Sequence, residues 1–313
     1  MEVINIENTY FKSIKQSNNA MYHYTSANAI INIFKEKTIR FTNCLFLNDV
    51  QEYNYIVTLF KEMSEKKVFN KRYERLITAV INALDKRNSY CMSEIKQSGK
   101  IHFWHSEYYV LCGSTQQDSL PMWNYYVKSN GCYGYNIKIS VNDIVSRLNN
   151  VKGKVFYGQV IYDKDKQMDI LKCFIDDITD KWEKEKMQLN NRQEIEKCNQ
   201  QYQEDIMQYI QNIRLFFKDS GFKHEKEYRV VILYDSLGNE SGANHQINKG
   251  YSINNGVITP YIGVTFNELP IEEICISPTV EKGIAKIGLE NMSNFYNPWN
   301  KVKIAESKIK IRY

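Results

Sequence analysis

The 313-residue sequence lacks any apolar run long enough to span a bilayer, and it has no apolar N-terminal segment that resembles a signal peptide. Its seven cysteines are scattered along the chain without a closely spaced pair. An odd, dispersed set of this kind is typical of reduced thiols in a cytosol. We therefore expect a soluble, cytoplasmic protein that has no membrane partner.

The sequence also has little excess charge of either sign. Its 41 Lys and Arg residues against 36 Asp and Glu residues give a formal net charge of +5. A dedicated nucleic-acid scaffold concentrates a larger basic excess on one face, so this class is disfavoured, whereas small anionic ligands remain open. The hydrophobic fraction of 43% is that of a globular chain whose core needs neither disulfides nor a structural metal.

Neither a regular alternation of strands and helices nor a Gly-rich phosphate loop is present. Short strands separated unevenly by helices predict an α+β fold, with short mixed or antiparallel sheets and flanking helices, in a single domain over residues 1–313. Residues 165–218 are rich in Lys, Glu, Gln and Asn with spaced apolar residues. This pattern predicts a helical insertion of two long helices, broken near 189–191. The sequence leaves open whether they form a homodimer seam or a lid.

The densest group of charged residues lies where an apolar strand is predicted to begin, over residues 227–234. Glu225 and Glu227 are spaced i and i+2, so in a strand they share one face. Two carboxylates so close raise the pKa of one of them unless cations compensate, and Lys218 and Arg229 are near in sequence. The pattern fits a catalytic pair, but it also fits a solvated strand end with surface ion pairs, which is the commoner arrangement.

A second cluster is Tyr22-His23-Tyr24-Thr25-Ser26 at the end of a predicted strand, followed by Asn48, Asp49 and Glu52 in a loop and helix start. In a strand, His23 faces away from both tyrosines. A neutral imidazole in this position could hold a ribose hydroxyl, although a satisfied core histidine is the commoner role.

A third cluster begins at Ser114 and includes a helix that Ser119 and Pro121 are predicted to open and Gly131 to end. This helix carries Trp123 and Tyr126. Aromatic residues on one helical face more often pack into a core than stack on a ligand, and both roles stay open.

The sequence has only one conceivable metal cluster, His102 and His105 with Glu107 and Cys112 nearby. Zinc sites need three or four preplaced ligands, and no second matching pair exists, so we predict that no metal is bound. Cys112 lies in a predicted strand, where a small buried hydrophobe is more common than a nucleophile. No serine nucleophile elbow is present.

Four motifs, taken in order, resemble a bacterial family catalogued as domain of unknown function 2971. They are Met-Tyr-His-Tyr-Thr-Ser at 21–26, Leu-Asn-Asp at 47–49 with Glu52 three positions on, Cys-x-Ser and Met-Trp-x-x-Tyr followed by Gly within 112–131, and Lys-x-x-x-Phe-x-x-Glu-x-Glu-Tyr-Arg at 218–229. The resemblance covers nearly the whole chain. The sequence departs from the family at Val50, where the family usually has proline. The family name implies no reaction.

The order of a His-containing strand, central aromatics and a late Glu-x-Glu is also similar to the layout of ADP-ribosyltransferases, whose split α+β fold cradles NAD between two small sheets. This likeness implies a role for each of the residues singled out above. His23, with Tyr24 and Thr25, would hold the adenosine ribose; Tyr126 or Trp123 would cover the nicotinamide; Glu227 would bind the nicotinamide ribose; Glu225 would face the acceptor; Arg229 or Lys218 would hold the pyrophosphate.

We therefore expect an NAD-dependent ADP-ribosyltransferase or NAD-cleaving enzyme, a toxin-like effector in bacterial conflict or phage defence. NAD would be its substrate, and the protein or nucleic-acid acceptor stays unidentified. The alternative is a non-catalytic module that senses a nucleotide or a phage protein through the same pocket. A nuclease would need clustered acidic metal ligands or a basic stripe, and neither stands out. In either role, His23, Trp123, Tyr126, Glu227 and Arg229 are predicted to converge on one concave pocket.

Overall fold

The computed structural model of the protein describes residues 2–5, 20–47, 52–84, 106–127, 133–148, 153–235, 247–254, 256–298 and 301–310. Over these residues the fold is α+β, as predicted, and eleven strands form one continuous hydrogen-bonded sheet. The sheet is mixed: β1 pairs with β6 and β10 with β11 in parallel, and the other pairings are antiparallel.

The secondary-structure elements follow in chain order. The strands are β1 (Glu2–Asn5), β2 (Ala20–Ser26), β3 (Thr38–Asn43), β4 (Ser106–Ser114), β5 (Gly134–Ser140), β6 (Gly153–Gln159), β7 (Glu227–Asp235), β8 (Ile247–Asn254), β9 (Val257–Thr265), β10 (Ile271–Ile276) and β11 (Lys303–Glu306). The α-helices are α1 (Ala27–Glu36), α2 (Glu52–Glu65), α3 (74–84), α4 (Leu120–Tyr126), α5 (Val141–Leu148), α6 (Lys164–Lys186), α7 (Arg192–Ile213) and α8 (Lys282–Tyr296). Short 3₁₀ turns cover Cys44–Phe46, Lys71–Tyr73, Arg214–Phe216 and Ser220–Glu225.

The sheet divides at β4. One edge of β4 pairs along its whole length with β7, which leads to β6 and β1; we call these four strands the trunk. On its other edge, β4 pairs with β3 at Tyr109 and Val110 and with β2 at Ser114. Residues 111–113 between them have no strand neighbour on that edge within the described ranges. The sheet is therefore one forked sheet rather than the separate short sheets that we expected.

Two branches leave the trunk at this fork. The first branch is β2, β5, β10 and β11, and the second branch is β3, β9 and β8. The β8–β9 hairpin of the second branch was not predicted in full, because the residues of β8 are mostly polar and solvent-exposed, and Lys249 interrupts the alternation of Ile247, Tyr251 and Ile253 with polar residues. Its apolar tip residue Ile253 is 80% exposed.

Helices cover both faces of the trunk and leave a core on each. On one face, Val110 and Val231 pack with residues of α2, α3, α6 and α7. On the other face, Leu111 and Val230 pack with residues of α1, α5 and α8. Burial of apolar side chains on both faces therefore stabilises the trunk.

The structure confirms two long helices within residues 165–218, α6 and α7, with a break between residues 187 and 191. Asp163 and Asn191 cap their N-termini by accepting hydrogen bonds from the backbone N–H groups of Lys166 and Gln193. Ile175 and Ile206 are completely buried against the trunk, so the helices belong to the main core. None of the helices in the described ranges is long and apolar enough to cross a membrane.

Candidate functional site

A pocket of about 680 Å³ opens at the fork, lined by residues of the trunk and of both branches. Its lining includes Val110, Cys112, Glu227 and Arg229 from the trunk, His23 and Ser26 from the first branch, Arg40, Thr42, Ile253 and Asn254 from the second branch, Tyr125 and Tyr126 from α4, and Phe46, Leu47, Leu111 and Lys218. The volume lies within the range of small-molecule sites. The fork therefore leaves a cleft that a fully paired sheet would not contain.

His23 bridges the gap in strand pairing at the fork. Its Nδ1 lies 2.8 Å from the carbonyl oxygen of Cys112, which belongs to the segment of β4 without a strand neighbour on that edge. A carbonyl only accepts hydrogen bonds, so Nδ1 carries the proton. Burial lowers the pKa of His23 more than the Cys112 carbonyl raises it. The ring is therefore neutral, and Nε2 is an acceptor without a partner among the described residues, on a side chain that lines the pocket.

The neighbours of His23 on the strand lie elsewhere. The Tyr24 hydroxyl donates to the backbone carbonyls of Gln116 and Gln117 and accepts from the N–H of Ser119. Thr25 is 8% exposed and is not part of the pocket lining. The alternation that places His23 opposite Tyr24 was predicted correctly, but the structure does not bring Tyr24 or Thr25 to the pocket.

Trp123 is also absent from the pocket lining. It is 1% exposed, its Nε1–H donates to Asp118 at 2.7 Å, and its ring packs edge-on against Tyr24 at 4.7 Å. The carboxylate of Asp118 also accepts from the Ser307 hydroxyl and the Lys308 N–H. Trp123 therefore anchors α4 in a small core, and the prediction that it joins the pocket is wrong. The other four residues of that prediction, His23, Tyr126, Glu227 and Arg229, do line the pocket.

The two neighbouring carboxylates do not share a strand face, contrary to the prediction. Glu225 ends a 3₁₀ turn, Lys226 adopts a left-handed conformation with φ of 43°, and Glu227 is the first residue of β7. The reversal at Lys226 instead directs both carboxylates to Lys218. The Nζ of Lys218 lies 2.6 Å from Oε2 of Glu225 and 3.3 Å from Oε1 of Glu227.

Ser114 holds this turn in place. Its fully buried hydroxyl donates to the backbone carbonyl of Glu225 at 2.7 Å. The N–H of Thr115 donates to the carbonyl of Lys226 at 2.8 Å. The serine of the Cys-x-Ser motif thus positions the carboxylates through the backbone.

The charged cluster is buried. The four residues Lys218, Glu225, Glu227 and Arg229 are between 1% and 5% exposed. Arg229 binds Oε2 of Glu227 through both Nε, at 2.7 Å, and Nη2, and its Nη1 donates to the Leu215 carbonyl at 2.6 Å. The alternative of a solvated strand end with surface ion pairs is therefore wrong. A buried ion-pair network of this kind needs every partner to be present.

The two carboxyl groups differ in pKa. Burial by itself would raise the pKa of Glu227, but the charges of Arg229 and Lys218 outweigh it and hold the pKa below its ordinary value. Burial and the charge of Glu227 raise the pKa of Glu225, against the opposing effect of Lys218. The negative charge is therefore concentrated on Glu227, and Glu225 is the group that takes up a proton first.

Tyr126 links Glu225 to the pocket. Its hydroxyl donates to Oε1 of Glu225 at 2.8 Å. Burial and the charges of Glu227 and Glu225 raise the pKa of Tyr126, so the phenol stays protonated. Tyr126 lines the pocket and Glu225 does not, so this hydroxyl is the connection between Glu225 and the pocket.

Arg40 is a pocket residue that the sequence analysis missed. Lys218 and Arg229 are both bonded to the buried carboxylates, whereas the Arg40 side chain is 35% exposed and faces the pocket from β3. The only sequence signal is an arginine in the alternating strand Thr-Ile-Arg-Phe-Thr, which predicts a solvent-facing position without indicating a pocket.

Several other predicted residues lie outside the described part of the chain. These are Asn48, Asp49, Val50, His102, His105 and Gly131, together with the side chains of Glu52 and Glu107. Among the residues that are described, no group of three or more His, Cys, Asp or Glu side chains is placed to hold a metal ion. The described cysteines are not joined by disulfides, and Cys112 is a half-buried residue of the pocket lining.

Comparison with known families gives a match over about a third of the chain. Residues 122–230 match the model of a family described as "Protein of unknown function (DUF2971)". The match confirms the family resemblance, and it spans the segment that supplies Tyr126, Lys218, Glu227 and Arg229 to the pocket. No curated protein and no solved structure matches the chain. The ADP-ribosyltransferase-like layout therefore has no support from a structural neighbour.

Proposed function

We propose that the pocket at the fork binds a ribosyl nucleotide, with NAD as the substrate, and cleaves its N-glycosidic bond. The observation that carries the proposal is the position of Glu227, an ionised carboxylate that is buried and fixed yet lines a pocket. His23 and Tyr126 add hydrogen-bonding groups to the same pocket. A fixed charge of this kind stabilises a cation that develops only in the transition state.

The chemistry requires few groups. The bond between ribose C1′ and the nicotinamide nitrogen breaks, its electron pair goes to the nitrogen, and nicotinamide leaves as a neutral molecule without a general acid. The ribosyl centre becomes oxocarbenium-like, and the carboxylate of Glu227 stabilises it. Because the pKa of Glu227 is lowered, this charge persists at neutral pH.

Water or an acceptor hydroxyl then attacks C1′ and must lose a proton. Glu225 in its ionised form is a stronger base than an ordinary carboxylate, because its pKa is raised. The acceptor proton would pass to the Tyr126 oxygen while the Tyr126 proton passes to Glu225. In this proposal Tyr126 contacts the acceptor and Glu225 acts through it.

One observation favours the second candidate, a non-catalytic nucleotide-sensing module in which the same residues bind without cleaving. Glu227 is bonded to two cations, and two carboxylates face two cations in the cluster as a whole. A cluster whose charges are balanced without a ligand can serve mainly to shape the pocket. The two candidates share the ligand class and differ in turnover.

The discriminating experiment measures binding and cleavage on the same full-length protein. NAD binding is measured by titration calorimetry, and free nicotinamide is measured by chromatography after incubation at neutral pH. Release of nicotinamide in proportion to enzyme concentration supports the enzyme. Binding without release in the presence of water and of candidate protein or nucleic-acid acceptors supports the sensing module. Failure of NAD and ADP-ribose to bind would contradict both.

A further inference from the structure

The pocket has two chemically different sides, which correspond to the two branches of the sheet. We propose that a nucleotide lies across the fork in one orientation, with its ribose hydroxyls on the first-branch side and an anionic phosphate on the second-branch side, held by Arg40. This inference rests on the proposed function and assigns a part of the ligand to each branch.

The side formed by the first branch and the charged cluster accepts hydrogen bonds. His23 carries its proton on Nδ1, which is bonded to the Cys112 carbonyl, so Nε2 is an acceptor. The Tyr126 hydroxyl donates its hydrogen bond to Glu225, so its oxygen is left to accept one as well. Glu227 is an ionised carboxylate. Three acceptors fit sugar hydroxyls, which donate, whereas an ionised phosphate offers only acceptor oxygens to them.

The second-branch side offers donors. Arg40 uses one group, Nη2, to bind Oε2 of Glu36 at 3.1 Å, and its guanidinium lies 4.5 Å from the ring centroid of Tyr261. Its Nε and Nη1 have no partner among the described residues. Thr42, two residues further along β3 and on the same face, and Asn254 of β8 also line the pocket, and their side chains form no hydrogen bond within the described ranges.

These donors match the acceptor oxygens of a phosphate. A guanidinium held flat by an aromatic ring and by one carboxylate presents its remaining N–H groups in a fixed direction, which suits a bidentate contact with phosphate oxygens. Lys218 and Arg229, which the likeness to ADP-ribosyltransferases assigned to the pyrophosphate, are instead bonded to the buried carboxylates. The anion subsite therefore lies on the β3 side of the pocket.

Calorimetric titration with ADP-ribose, which retains the ribose and phosphates but has no nicotinamide to lose, tests the assignment. Arg40→Gln is expected to weaken binding about tenfold or more, as expected for the loss of a charge-assisted contact. Arg40→Lys keeps the positive charge but lacks the planar guanidinium that can bind two oxygens at once. This variant should recover part of the lost affinity. Arg192→Gln is the matched control, because Arg192 is also paired with a glutamate four residues away, Glu196, outside the pocket.

Glu36→Gln separates an anion-binding role from a structural one. If Arg40 binds phosphate, removal of the competing carboxylate should leave ADP-ribose binding equal or tighter. If the Glu36–Arg40 pair only supports the fold, Glu36→Gln should weaken binding as much as Arg40→Gln, and that result would overturn the inference. Unchanged binding in Arg40→Gln overturns it also and leaves the proposed function standing. Absence of ADP-ribose binding to the unmodified protein overturns both.

Discussion

His23 donates its Nδ1–H to the carbonyl oxygen of Cys112 at 2.8 Å, at the place where β4 loses its strand neighbour. The imidazole thus supplies the hydrogen-bond donor that the backbone of a neighbouring strand would otherwise supply, and it lies at the inner end of the fork. The same bond fixes the tautomer and turns Nε2 into an acceptor in the pocket. His23 therefore contributes both to the hydrogen bonding of the sheet and to the hydrogen-bonding groups of the pocket.

Replacement of His23 is predicted to separate these two roles. Asn places an amide N–H near the position of Nδ1, whereas Leu leaves the Cys112 carbonyl without its donor. His23→Leu should therefore be less stable than His23→Asn by about 1–3 kcal/mol, the cost of an unsatisfied buried group. Urea denaturation measures the difference. Equal free energies of unfolding for the two variants would show that the bond does not support the fork.

The lowered pKa of His23 predicts a pH dependence of stability. Below its ordinary pKa of 6.5, the unfolded chain takes up a proton that the folded ring resists, so the free energy of unfolding should decrease as pH falls below that value. His23→Asn removes this contribution. The stabilities of the two proteins should therefore converge between about pH 6.5 and pH 5. Parallel stability curves over that interval would contradict the assignment of a neutral, buried imidazole.

The two carboxylates are predicted to differ in their effect on stability. Glu227→Gln leaves Arg229 without its ion-pair partner in a buried site, which should cost about 3–5 kcal/mol. Glu225→Gln should cost clearly less at neutral pH, because the raised pKa shows that the fold disfavours its charge and an amide still meets Lys218 and Tyr126. Chemical denaturation of both variants is the measurement. A larger loss for Glu225→Gln would reverse the assignment of the charge within the pair.

Tyr126→Phe is predicted to separate acceptor transfer from hydrolysis. The substitution keeps the ring and removes the hydroxyl that connects Glu225 with the pocket. Transfer to an acceptor should fall about tenfold or more, in line with the loss of general-base assistance. Release of nicotinamide by water should fall less, since Glu227 is untouched and an attacking water can also lose its proton to neighbouring solvent. Tyr202→Phe, which removes a hydroxyl that donates to the carboxylate of Glu185 outside the pocket, is the control. An equal loss of both reactions in Tyr126→Phe would show that the hydroxyl serves binding or folding instead.

Features that depend on local sequence were predictable. Strand alternation placed His23 opposite Tyr24, and the spacing of apolar residues in a polar segment located α6 and α7. The convergence of His23 with Glu227 followed from the order of the motifs rather than from any local signal. Spacing along the chain therefore predicted which elements form, and the family motifs predicted which of them meet.

The missed features depend on non-local pairing or on unusual backbone. A lysine carries no signal for the left-handed conformation that Lys226 adopts, since glycine and asparagine are the residues that usually occupy it, so Glu225 was assigned to the strand. Arg40 faces a pocket only because β3 and β2 part from β4 at different points. That fork is set by long-range strand pairing, which periodicity does not encode.

The most direct test of the account is the rate of nicotinamide release from NAD by the unmodified protein, by Glu227→Gln and by Glu62→Gln. Glu62 is a matched control because its carboxylate is also held by two cations, Lys66 and Lys164, away from the pocket. Rates are compared at a temperature where thermal melts show all three proteins folded. The account predicts a loss of about a hundredfold or more for Glu227→Gln, the effect of removing a preorganised electrostatic contact, and no significant change for Glu62→Gln. Equal release by folded Glu227→Gln and the unmodified protein, or no release by any of the three, would contradict it.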